Sequence, residues 1–308
     1  MPQETGPVLV TGANGHLGRR LLRRLSGSRP LRPVVRSERA AEQISALDLP
    51  DPPPISILDY GDAAALTQAA SGCSHAVHLA GILKENSSSR YADAHERASL
   101  ALANASDAAG LSRIVYLSIL GSSQDSANAC LASKGRAEQI LMAARTPTLV
   151  LRVPMVLGEG DFASLALGRR ARARATALTR GGTCLEQPIY AGDVVDAIVA
   201  GTTRDGLDDL ALDLAGPESL PQHQLVARAA AAAGADGPTT LAVPYALNHA
   251  LAWIFEKLVD DPPVTRPMLG VLDCDDQVDP SEALAKLGIE STSLDEMLHR
   301  CVGLGAGR

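Results

Sequence analysis

The chain predicts a doubly wound α/β fold, a parallel sheet covered by helices, and three observations carry that expectation. Short apolar runs alternate with helix-patterned segments throughout the first half, the rhythm of strand–helix–strand crossovers. The first apolar run leads directly into glycines at 12, 15 and 18 and then into a helical run. Beyond Arg152 the rhythm changes at Gly158-Glu-Gly-Asp161, where a smaller lobe begins.

Taken in order, residues 8–10, 31–35, 55–58, 76–79, 114–117 and 148–151 read as strands. Residues 19–25, 39–47, 63–70, 94–109 and 134–144 read as the helices between them, with the lengths that right-handed crossovers require. In the second half, residues 169–180 read as a helix broken by Gly181-Gly182. Asp193 heads an apolar helix over 194–200 as its N-cap, and 210–214 reads as a strand returning to the sheet. Helices follow at 225–233 and 245–258, with a last amphipathic one at 294–301. The expected layout is a main domain over 1–155, with 187–216 returning to it, and a discontinuous substrate lobe made of 156–186 and 217–308.

A formal charge of −7 over 308 residues opposes a general nucleic-acid or membrane-surface role, and aromatics at 3% leave few stacking platforms for bases. A small-molecule partner is expected instead. Cysteines at 73, 130, 184, 274 and 301 form no CxxC pair, which suggests neither a disulfide framework nor a zinc knuckle, and fits a reduced cytoplasmic location. Residues 1–7 are polar and lack a signal-peptide core, and charges interrupt every apolar stretch before membrane-span length. His75 and His78, three apart in a strand, point to opposite faces, so no shared metal is expected.

The run Val8-Leu-Val-Thr-Gly-Ala-Asn-Gly-His-Leu-Gly18 has the context of a dinucleotide cradle, strand before and helix after. Gly12, Asn14, Gly15, His16, Leu17 and Gly18 are its expected binding residues, in a Rossmann-type domain. The second strand ends at Val35-Arg36-Ser-Glu-Arg39, where the adenosine ribose should lie. An arginine there pairs with the 2′-phosphate of NADP, whereas an acid would bond the 2′-hydroxyl of NAD. Arg36, assisted by Arg39, favours NADP(H), and Glu38 nearby leaves NAD(H) open. Asp59, beside Tyr60 after the third strand, is placed to accept from the adenine amino group or to serve as a turn residue.

The ordered series VLVTGANGHLG (8–18), VHLAGIL (77–83), RIVYLSILG (113–121), LASK (131–134), LRVPMVLGEGD (151–161), QPIYAGDVVDAI (187–198) and PVTRPMLGVLDCDDQVDP (263–280) resembles the short-chain dehydrogenase/reductase superfamily. It is most similar to the extended or atypical branch, epimerase/dehydratase-like and NmrA-like, that includes the NDUFA-type accessory subunit of respiratory complex I. The resemblance implies that Leu79, Ala80 and Gly81 run under the adenine and ribose, with His78 packing there, and that His95 is structural. It also implies a catalytic set: Ser118 orients the substrate oxygen, and Lys134 holds the nicotinamide ribose and lowers the pKa of a tyrosine four residues earlier. Cys130 stands at the tyrosine position. A thiol beside an ammonium is expected to have a lowered pKa and be largely thiolate, a poor proton donor. Another acid or a water then serves, or Cys130 acts as base or nucleophile or packs as a small hydrophobe, or the fold only binds cofactor. Tyr190 is a candidate for the missing hydroxyl.

Arg169, Arg170, Arg172, Arg174 and Arg180 form the dense basic run, read as a solvated helix rather than an anion site. Residues 247–258, with Trp253 and Phe255, read as amphipathic core, with a wall for a hydrophobic substrate as the functional counterpart. The leading expectation is an NADP(H)-preferring oxidoreductase acting on a small, apolar carbonyl, enone or quinone-like compound. Against it stand a non-catalytic cofactor-binding regulator or assembly subunit with a protein partner, and a lyase, epimerase or cyclase on the same scaffold.

Overall fold

The computed structural model describes residues 6–259, 265–272 and 275–303. Cys274 and parts of the 1–7 and 263–280 segments lie outside them. The first elements are β1 (Val8–Thr11), α1 (His16–Leu25), β2 (Leu31–Val35), α2 (Glu38–Ser45), β3 (Ser56–Ile57), α3 (Ala63–Ala70) and β4 (His75–His78). A π-helix (Ala92–Arg97) then runs into α4 (Ala98–Ala109), followed by β5 (Arg113–Ile119), α5 (Ala129–Met142) and β6 (Thr148–Val153). Next come β7 (Val156–Leu157), α6 (Phe162–Arg172), β8 (Ala175–Thr179), β9 (Leu185–Glu186), β10 (Ile189–Tyr190), α7 (Ala191–Thr203) and β11 (Leu210–Asp213). The chain closes with β12 (Leu220–Pro221), α8 (Gln222–Ala232), β13 (Thr239–Val243), α9 (Tyr245–Leu258), α10 (Arg266–Leu272), α11 (Ser281–Leu287) and α12 (Leu294–Val302).

Two compact units emerge: Met1–Arg152 with Val195–Leu212, and Val153–Val194 with Asp213–Arg308. The first holds a seven-stranded sheet in the order β11-β6-β5-β4-β1-β2-β3, the doubly wound α/β arrangement. Its order reverses between β1 and β4, where a ligand crevice is expected at the carboxyl ends of the strands. Parallel registers such as Val8↔Leu31, Val8↔His75 and His75↔Arg113 align those ends. One core cluster joins Leu9, Val34, Leu66, Leu102, Ile114 and Val150, each fully buried. Each such side chain contributes about 1.5–3 kcal/mol by leaving water.

Several local boundaries differ from the sequence reading. Helix α5 starts at Ala129, ahead of the expected 134, because the Asn128 side chain accepts from the Cys130 and Leu131 N–H groups and caps it there. The helix expected over 169–180 is instead the end of α6 followed by strand β8, whose five residues pair in register with β13. Alternate burial of Thr176 and Leu178 is a strand period that the arginine-rich composition concealed. Asp193 lies within the first turn of α7 and accepts from Thr292 N and Oγ1, both at 2.7 Å, so it ties two segments of the second unit together. The reading of 247–258 as core is also overturned, since Leu247, Trp253, Ile254, Phe255 and Leu258 are exposed. No helix among the described residues is long and apolar enough to cross a membrane.

The second unit packs α6, α8 and α12 around Leu157, Leu167, Leu225, Val226 and Met297. At its edge Glu186, 4% exposed, accepts from Gln222 Nε2 at 3.0 Å. Burial, then the Asp276 charge, pushes its carboxyl up to about 7, and burial pushes Asp276 up to about 6. Both carboxyls bind their protons more tightly when folded, so stability falls as pH rises from the ordinary carboxylate range through about 7 and levels off above. The urea midpoint should therefore drop between about pH 5 and pH 8, and Glu186→Gln should flatten that slope. A variant keeping the full slope would assign it to other groups.

Candidate dinucleotide site

The glycine loop takes its shape from two steric facts. Gly12 has φ +68°, and a Cβ there would stand 2.8 Å from Ala80 N. A Cβ on Gly18 would stand 2.5 Å from Ala13 O, so Gly18 serves close packing of α1 on the loop. Gly15 has ordinary backbone angles and caps α1 without a side-chain hydrogen bond. The first N–H groups of α1 and the positive end of its dipole thus have no capping side chain in front of them. Tyr60 fastens the loop: its hydroxyl accepts from Gly12 N at 2.9 Å and donates to Val34 O at 3.0 Å.

A cleft of about 480 Å³ opens over this loop. Of the expected residues, Gly12, Asn14, Gly15, Arg36, Asp59, Tyr60, Leu79, Ala80 and Gly81 line it. His16, Leu17, Gly18, Arg39 and Lys134 are not among its walls. The Arg36 guanidinium lies 5.7 Å over the Tyr60 ring and also reaches an adjoining recess with Asn14 and Ser37. Ser37 caps α2 by accepting from Ala40 N, so that helix begins at Glu38 and sets its N-terminal end beside Arg36.

Sequence reading missed Arg97. Its guanidinium pairs with Asp59 at 3.2 Å and with Asp93 at 3.3 Å, and packs on Gly61, where a Cβ would come within 2.6 Å of it. Asp59 additionally accepts from Gly61 N, so both of its oxygens already have partners. The Asp93–Arg97 spacing of four was the one available signal. The widened π-helix turn that brings Asp93, Ala94 and Arg97 to the cleft carries no comparable sequence mark.

The catalytic candidates sit on β5 and α5. Ser118 is 1% exposed, and its hydroxyl donates to Glu138 Oε1. Glu138 in turn takes an ion pair from Arg152 at 2.6 Å. Lys134 Nζ donates to Leu117 O at 2.9 Å and lies 4.6 Å from the Tyr116 ring centroid; burial pushes its pKa down to about 8. Cys130 is fully buried, with Sγ 3.8 Å from Ile82 O. The expected thiolate is corrected here. Burial raises the thiol pKa, and that outweighs the opposing pull of Lys134.

His78 is likewise inside the protein, bonded to Thr11 Oγ1 at 2.6 Å and stacked on Tyr116, so it braces the sheet instead of packing on a cofactor. Burial pushes both His78 and His95 down to about 3. Tyr190 belongs to the second unit, where its hydroxyl donates to Glu159 at 2.6 Å and the Arg300 guanidinium lies 5.1 Å over its ring.

The cleft fits a dinucleotide. The loop carries no side chain where Gly12 and Gly15 would meet a pyrophosphate, α1 presents its N-terminus without a capping side chain, and a cation stands at the β2 end.

Comparison with known proteins agrees. Residues 12–180 match the NAD(P)H-binding family. Ceramide reductase of Caulobacter vibrioides is 32% identical over 164 residues, 53% of this chain and 50% of that one. Mitochondrial NADH dehydrogenase (ubiquinone) 1 alpha subcomplex subunit 9 of Arabidopsis thaliana is 29% identical over 223 residues, 70% of this chain and 55% of that one. The chain spans about half the length of these curated relatives. The dTDP-glucose 4,6-dehydratase DesIV of Streptomyces venezuelae, solved with NAD bound, superposes with a TM-score of 0.73 at 17% identity over 96% of this chain and 95% of its own, a likeness of fold. Because the family match takes in the Gly12 turn, the Arg36 rim and Lys134 within one stretch covering more than half of the sequence, the chain belongs to the NAD(P)H-binding family.

Proposed function

We propose that this protein is an NADPH-preferring reductase of apolar carbonyl compounds. The observation that carries the cofactor choice is Arg36, which lines the cleft and, with Ser37 and Asn14, the recess beside it. A guanidinium and a hydroxyl there suit a 2′-phosphate. The bound dinucleotide supplies the hydride. Lys134 would hold the nicotinamide ribose, and Ser118 acts from within the sheet, keeping Glu138 and the end of β5 in place. The apolar character of the substrate is supported by the ceramide reductase relative, whose name denotes reduction of a lipid.

Calorimetric titration of cofactor-stripped protein should give tighter binding of NADPH than of NADH. Arg36→Ala should weaken NADPH by about 1.5–3 kcal/mol, roughly ten- to a hundredfold, with little effect on NADH. Equal losses for both dinucleotides would remove Arg36 from the 2′-phosphate. Consumption of NADPH with long-chain ketones tests the reductase reading itself.

One observation favours a second reading: the tyrosine position holds a buried thiol whose pKa is raised. Together with the complex I subunit relative, that supports a cofactor-binding assembly subunit. Tight NADPH binding without turnover on any carbonyl, and a stable protein partner in pull-downs, would select it. Product formation without net change in NADPH would point to lyase or epimerase chemistry.

A further inference from the structure

We propose that Tyr91 supplies the phenolic hydroxyl that position 130 lacks, and donates its proton to the oxygen of the carbonyl under reduction; this rests on the reductase reading above. Tyr91 immediately precedes the π-helix, is 4% exposed, and its hydroxyl donates to Leu83 O at 2.8 Å. The same hydroxyl lies in hydrogen-bonding contact with the Cys130 thiol, whose Sγ is directed at Ile82 O. It therefore stands at the tip of side chain 130, one helical turn from Lys134. A longer side chain at 130 would carry its own functional group into this neighbourhood.

The surroundings support a chemical role. The Tyr91 ring stacks on His95 at 5.5 Å, and His95 Nε2 contacts Ile82 N at 3.1 Å. A Cβ on Gly81 would come within 3.2 Å of Lys134 Nζ and 3.4 Å of His95 Nε2. A phenol, a thiol, an imidazole and an ammonium thus converge on residues 81–83, and Gly81 and Ile82 are walls of the cleft. Burying four polar groups at one strand end costs desolvation that an apolar packing would avoid.

In the step, the carbonyl carbon gains a hydride, the C=O π pair moves onto oxygen, and the Tyr91 O–H proton neutralises that oxygen. The ketone is reduced to an alcohol and the nicotinamide is oxidised. The phenolate regains a proton from the Lys134 ammonium, which is refilled from water.

The experiment compares wild type and Tyr91→Phe, each loaded with NADPH, using 2-dodecanone as substrate and lauramide, whose carbonyl is not reduced, as a binding probe. Tyr91→Phe should lower kcat at least about a hundredfold while NADPH affinity stays within about threefold. Tyr91→His, which keeps a donor at the position, should retain at least about ten times the Tyr91→Phe rate. Lauramide should bind Tyr91→Phe about tenfold more weakly than wild type. A kcat within about threefold of wild type overturns the assignment. Should wild type itself leave NADPH unconsumed, the reductase reading falls and lauramide decides for Tyr91. A Tyr91-dependent affinity keeps the hydroxyl on the ligand, whereas equal affinity, or no binding to either protein, overturns it.

Discussion

Replacing Gly12 with alanine should abolish dinucleotide binding. At φ +68° an L side chain costs about 1–2 kcal/mol, and the added Cβ would sit 2.8 Å from the Ala80 backbone nitrogen. Backbone cannot yield as a flexible side chain does, so the loop must move away from Ala80 and from the Tyr60 hydroxyl that holds Gly12 N. Both partners line the cleft, and the displacement should raise the NADPH Kd at least about a hundredfold, near 2.7 kcal/mol. Gly72→Ala separates strain from site. Gly72 has φ +74° with nothing within 4 Å of the added Cβ, so it should lose stability by about the same strain and keep cofactor affinity. Wild-type NADPH affinity in Gly12→Ala would remove the loop from the binding site.

The second large effect is expected at the buried ion pair beneath β5. Arg152→Ala leaves Glu138, whose side chain is 6% exposed, with the neutral Ser118 hydroxyl as its remaining donor among the described residues. An unpaired buried charge of this kind costs about 3–5 kcal/mol, which should appear as a large fall in the urea midpoint. Removing both charges with Glu138→Gln and Arg152→Met should cost less than the sum of the single losses, because neither charge is then stranded. A loss below about 1 kcal/mol in Arg152→Ala would mean that water, not Arg152, solvates Glu138.

Much of the first unit was legible from local rules. The period of the apolar runs located β1 to β6, and strand–glycine–helix context located the cradle, because such signals are written within about ten consecutive residues. The Asn128 cap and the β8 strand were misread for the same local reason. A cap six residues upstream of the expected helix start, and a two-stranded pair made with residues more than sixty positions away, are decided by partners that a window does not contain.

The site divides along the same line. Sequence alone determined that the chain carries a dinucleotide cradle, that Arg36 follows the second strand and that Lys134 lacks its tyrosine, since each is a matter of residue identity at a spacing. Only the tertiary structure decided that Arg97 reaches Asp59, that Ser118 is engaged by Glu138, that burial and not Lys134 governs the Cys130 thiol, and that Tyr91 meets Cys130. Proximity across 38, 20 and 39 positions and the loss of water around a thiol are properties of packing, and desolvation has no signature in the order of residues.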